Sequence, residues 1–158
     1  MEETKTKENK TEKAKPAEAG LIAVVRIHGM VKVKSEIANT LDRLRLRRKY
    51  ACVLIDPKDK IAMGMLNKVK YFIAYGNINN KMLTELIKER AMSTEKEKID
   101  PEKITKALLE GKKLTDLKLK PFFRLHPPRK GIKSKLQFPK GALGNHKDKI
   151  NDLIVRML

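Results

Sequence analysis

The sequence predicts an α+β fold on three observations. Short β-branched runs alternate with helix-period stretches between residues 21 and 91 in the order β-α-β-α-β. Further helical patterns follow after residue 92, and a basic stretch rich in Pro and Gly interrupts them. The alternation describes a small ferredoxin-like βαβαβ core with helices on one face of its sheet, followed by a C-terminal extension of helices and a basic loop. The expected organisation is a disordered, charged tail over residues 1–20, a core over 21–91 and an extension over 92–158.

Each element has a local cause. Leu21 to Ile27 is an apolar, β-branched run that ends at His28-Gly29, as a central strand would. Ser35 offers an N-cap with Glu36 in the first turn, and Ile37, Leu41 and Leu44 recur on one face of a helix. Tyr50 to Ile55 forms a second strand, stopped at Asp56-Pro57, where proline would remove a ladder hydrogen bond. Ile61 to Val69 is a short helix that tolerates Gly64, and Lys70 to Tyr75 is a third strand ending at Gly76-Asn77. Successive strands joined through helices should run parallel, with right-handed crossovers.

Asn79 caps a helix over 80–91 that buries Met82, Leu83, Leu86 and Ile87. Asp100-Pro101 starts another, with proline at its first position, and Gly111 ends it. From Pro121 to Gly144, four prolines and three glycines exclude a continuous helix. Gly144-Asn145 opens a last helix whose Ile150, Leu153, Ile154 and Met157 dock on the core.

The chain of 158 residues carries 37 Lys and Arg against 19 Asp and Glu, a formal charge of +18. That imbalance calls for a polyanionic partner, nucleic acid before an anionic membrane, because each cation set near a phosphate releases a condensed counterion. The charge is uneven. Residues 1–20 balance five Lys with five Glu, whereas 21–55 carry net +6, 56–100 +2, 101–120 +3 and 121–158 +7. Two segments therefore hold most of the excess. The N-terminal stretch lacks the apolar run of a signal peptide and no window is apolar enough to span a bilayer, so a soluble, cytoplasmic protein is expected.

Chemistry is sparsely signalled. Cys52, the only cysteine, lies in an apolar strand and reads as core; it excludes a disulfide framework and a zinc knuckle. His28, His126 and His146 are far apart and have no metal-ligand partner at helical spacing, so no metal is expected. Isolated glycines make no phosphate loop, so no nucleotide cofactor or small-molecule substrate is indicated. No aromatic pair of the RRM kind is visible.

The basic clusters remain. Arg45-Leu46-Arg47-Arg48-Lys49 places four cations in five residues at a helix end; Lys32 and Lys34 precede them. Gly64 permits close backbone approach beside the donors Asn67, Lys68 and Lys70. In the Pro/Gly stretch, Arg124, His126, Arg129, Lys130, Lys133, Lys135 and Lys140 line an extended loop with a rigid turn at Pro127-Pro128. Without a recognition helix, basic zipper or zinc finger, structured RNA is favoured over DNA. A general nucleic-acid-binding protein and an RNA-modifying enzyme are the alternatives.

The runs LIAVVRIHG at 21–29, LDRLRLRR at 41–48, GMLNKV at 64–69 and YFIAYG at 71–76 resemble, in order and spacing, the large-subunit ribosomal protein L-thirty family. The additional C-terminal half, with Pro121-Phe122-Phe123, Pro128 to Gly131, and Gly144-Asn145 through Ile154, is similar to the archaeal long form and to eukaryotic L-seven. The resemblance implies a three-stranded ferredoxin-like core and no catalysis. It also implies contact with large-subunit ribosomal RNA near the 5S ribosomal RNA, beside neighbouring ribosomal proteins. Family contacts carried to matching positions are Arg26 and His28, Arg45 to Lys49, and Gly64 to Lys70. The tail lacks the long basic extension of eukaryotic relatives.

Overall fold

A computed structural model describes residues 20–94 and 100–158; the expected tail over 1–20 lies, save its last residue, outside them. Strands β1 (Ile22–Arg26), β2 (Ala51–Ile55) and β3 (Ile73–Asn77) form the centre of a five-stranded sheet. The two-residue strands β4 (Phe123–Arg124) and β5 (Gly144–Asn145) add its edges, giving the order β4-β2-β1-β3-β5. β1 is buried throughout and alternates. Ile22 and Val24 face helices α1 (Ser35–Arg43) and α2 (Lys60–Val69), whose Leu41, Leu66 and Val69 complete one core. Ala23 and Val25 face a second core built with helices α3 (Asn80–Arg90), α4 (Pro101–Leu109) and α5 (Ile150–Val155). The two helices of the βαβαβ unit thus share one face, as expected, and α3 together with the C-terminal extension covers the other.

The strand directions bear out the parallel expectation for β2 and β3, joined through α2, and correct it for β1 and β2, joined through α1. β1 is antiparallel to both β2 and β3. β2 and β3, parallel to each other, flank it. The cause lies in the connections. After α1 the chain returns over residues 44–50 to the end of the sheet where β1 finished, and the Tyr50 N–H donates to the Arg26 carbonyl at 2.7 Å. No return follows α2, which is capped by Asp59, whose carboxylate accepts from the Ile61 and Ala62 N–H groups, and which runs through a short turn into β3.

Three boundaries also differ. Ser35 is the first residue of α1, and the cap position belongs to Lys34, which makes no side-chain cap bond. Residues 70–72 close the last turn of α2, with the Phe72 N–H on the Val69 carbonyl, so β3 starts three residues later than the apolar run. Gly144-Asn145 does not open a helix. It pairs in parallel with β3 at Ala74 and Tyr75, and a 3-10 turn at Lys147–Lys149 leads into α5.

Gly76 makes that docking possible: a Cβ there would meet the Lys147 carbonyl oxygen at 2.1 Å and the Ile150 Cβ at 3.0 Å. Asn151, buried on α5, accepts from the Asn79 N–H at 3.0 Å and donates to the Asn77 carbonyl at 3.2 Å, tying the terminal helix to the β3–α3 turn.

Candidate nucleic-acid interface

Three connections meet at the end of the sheet where β1 finishes and β2 and β3 begin: residues 27–34, 44–50 and 70–72. Arg26 binds two of them together. Its side chain is 1% exposed, and its guanidinium donates to the carbonyls of His28 (2.9 Å), Gly29 (3.0 Å), Leu46 (2.6 Å) and Arg47 (3.1 Å). Desolvation lowers its pKa below the ordinary guanidinium value. Arg26, an RNA contact by the family resemblance, is placed inside the protein as a clamp that shapes the loops around it. The third connection is fixed by the backbone, since the Ile27 and His28 N–H groups both donate to the Phe72 carbonyl. His28 is half-buried, with Nδ1 3.0 Å from the Gly29 carbonyl and its ring edge-on to Phe72.

Around this clamp Lys32, Lys34, Arg48, Lys49 and Lys68 are exposed and Lys70 half-exposed. Lys68 lies 3.7 Å from Glu36, a pair too exposed to hold it firmly. Strand β4 brings part of the second basic segment to the same end: Arg124 sits opposite Ala51, and the Leu125 N–H donates to the Tyr50 carbonyl, which places exposed His126 beyond it. Sequence reasoning missed the exposed Met30, Val31 and Tyr71 among these cations; Lys70 stands over the Tyr71 ring at 5.2 Å. Their signal was faint, three apolar residues in segments otherwise read as loop or strand.

Other assigned residues lie elsewhere. Arg45 lines a groove of about 720 Å³ along the open half of β2, beside Val53, Ile55, Lys112 and Lys113. Arg47 turns back onto Asp42 at 2.5 Å. Gly64 and Asn67 are exposed on α2. Arg129 and Lys135 are exposed along the Pro/Gly loop, and Lys130, Lys133 and Lys140 border a second groove over α5.

Left-handed backbone recurs at basic residues. Six non-glycine residues among those described have positive φ: Lys32, Arg45, Tyr50, Lys118, Lys130 and Lys147. Five are cations, in a conformation where glycine is preferred. Arg45 ends α1 as a Schellman cap, its N–H on Asp42 and the Leu46 N–H on Leu41. Cations kept where glycine would be more comfortable point to a use for their charge. Cys52, buried with its thiol pushed up to about 12, is an inert core residue.

A family model described as "Ribosomal protein L30p/L7e" matches residues 22–73. The chain is similar to the large ribosomal subunit protein uL30 of Archaeoglobus fulgidus, 43% identical over 152 residues that cover 87% of this chain and 99% of that one. It is also similar to the uL30 proteins of Nanoarchaeum equitans, at 40% identity over 156 residues, and of Methanoculleus marisnigri, at 39% over 153; each alignment covers 87% of this chain and 99% of the relative.

Proposed function

The chain belongs to the ribosomal protein L30p/L7e family, and from that membership we propose that it is a structural constituent of the large ribosomal subunit in the cytoplasm, binding ribosomal RNA and catalysing no reaction. The observation that carries the RNA-binding part is the convergence of three clamped connections and β4 on one end of the sheet, where exposed cations surround a buried guanidinium. Phosphates are neutralised by Lys32, Lys34, Arg48, Lys49, Lys68, Lys70 and Arg124. The exposed Met30, Val31 and Tyr71 give this end a shape and an apolar surface against which RNA and neighbouring ribosomal proteins pack. The partner is large-subunit ribosomal RNA near the 5S ribosomal RNA, held by phosphate neutralisation and shape complementarity.

Replacing Lys34, Arg48 and Lys49 together by Ala tests this. None has a side-chain bond that the fold requires, so unfolding should shift by no more than about 0.5 kcal/mol. Binding to large-subunit ribosomal RNA should weaken at least about tenfold, with a shallower salt dependence. Unchanged affinity in the folded variant would remove this end of the sheet as the RNA surface.

A further inference from the structure

Residues 130–142 fold back over α5 and enclose a groove of about 530 Å³, within the size range of small-ligand sites, roughly 300–1,000 Å³. Lys130, Lys133, Lys140 and Lys149 border it, against Asp152. Its floor is aromatic. Phe138 is half-buried, its ring centroid 4.6 Å from that of His146 at a tilt of 38°, and the Lys149 ammonium stands 5.7 Å from the Phe138 centroid. His146 is 7% exposed and its Nε2–H donates to the Ala142 carbonyl at 3.0 Å, while desolvation holds its pKa below the ordinary 6.5, which keeps the ring neutral at pH 7.

The frame is held by backbone. The Phe138 N–H donates to the Leu143 carbonyl at 2.7 Å, and Arg156 fastens the loop to α5 by donating to the Gly131 carbonyl at 2.7 Å and the Arg129 carbonyl at 2.9 Å. Gly144 sits at φ +90°, a backbone conformation that glycine adopts without the strain any side chain would bring.

We propose that this groove takes one unpaired nucleotide of the bound RNA, with its base stacked on Phe138 and its phosphates among Lys130, Lys133, Lys140 and Lys149. The proposal rests on the RNA-binding reading above. Four ammonium groups select a polyanion, and an aromatic floor backed by a neutral imidazole selects a planar partner. A paired duplex hides its base faces, whereas an extruded or single-stranded nucleotide presents one.

The test uses the full chain with a hexaadenylate RNA and with an abasic hexamer of the same length and charge, at one salt concentration. Hexaadenylate should bind about fivefold tighter or more, the low end of base–aromatic stacking. The Phe138 ring resonances should shift with hexaadenylate and stay in place with the abasic strand. Phe138→Leu should abolish the preference and leave abasic binding unchanged, and Phe138→Tyr should keep it. Equal binding of the two hexamers, an unmoved Phe138 ring, or a preference that survives Phe138→Leu would each overturn the groove assignment. If both strands bind with salt-dependent affinity but equally, only the groove fails. If neither hexamer binds while large-subunit ribosomal RNA does, the groove assignment alone fails; if that RNA does not bind either, the RNA-binding reading fails with it.

Discussion

Arg26 owes its position to a conflict between charge and burial. A guanidinium inside a protein is tolerated only when its donors are met, and here backbone carbonyls from two connections meet them. Arg26→Met would leave those carbonyls without a donor and should cost about 2–3 kcal/mol in denaturant unfolding. Arg26→Lys should recover little, because one ammonium cannot span carbonyls on both sides. A stability loss under about 0.5 kcal/mol would show that the clamp is not structural.

Arg45 makes the opposite trade. Arg45→Gly should raise stability by about 1 kcal/mol by relieving its left-handed backbone; if its charge is used, the same change weakens RNA binding. His146 adds a pH dependence. Desolvation holds its folded pKa below the ordinary 6.5, so the unfolded chain binds the proton more readily. Its contribution is complete above about pH 6.5 and lost as pH falls toward the folded value. The melting temperature should drop over that interval, and less steeply in His146→Gln. Charge was legible in the sequence at all these positions. Whether a side chain points inward was not, because that depends on carbonyls supplied from twenty residues away.

At the scale of elements, apolar periodicity located β1, β2 and α1 to α4 to within a residue or two, since burial on one face is written locally. It misplaced β3, because Tyr71-Phe72 looks β-like while its backbone completes the last turn of α2. It missed β5 for a different reason. A two-residue strand has no period, and Gly144-Asn145 is recruited by the neighbouring Ala74 and Tyr75. The parallel expectation failed on the return segment. Nine residues of α1 advance the chain about 13 Å, and residues 44–50 undo that advance. Gly76→Ala tests how the terminal helix is seated: the added methyl collides with the Lys147 carbonyl. It should destabilise the protein by more than 2 kcal/mol and raise amide exchange in α5 before the β1–β2 pair. Uniform exchange across the sheet would contradict independent docking of α5.

Across the whole molecule, the uneven charge acquires a geometry. The +6 of residues 21–55 gathers mainly at one end of the sheet, joined there by Arg124 on β4, while Lys130, Lys133, Lys140, Lys149 and Arg156 of the +7 C-terminal segment border the groove over α5. Two basic surfaces on one rigid sheet can hold RNA segments together that would otherwise repel, with an affinity set largely by counterion release. The central claim, residence in the large ribosomal subunit through ionic contacts with its RNA, is tested most directly by sedimenting cell extract at rising salt and following the native protein. It should travel with large subunits at low salt and be released into the light fractions as salt rises. A protein that stays in the light fractions at every salt concentration, or travels with DNA instead, would contradict the account.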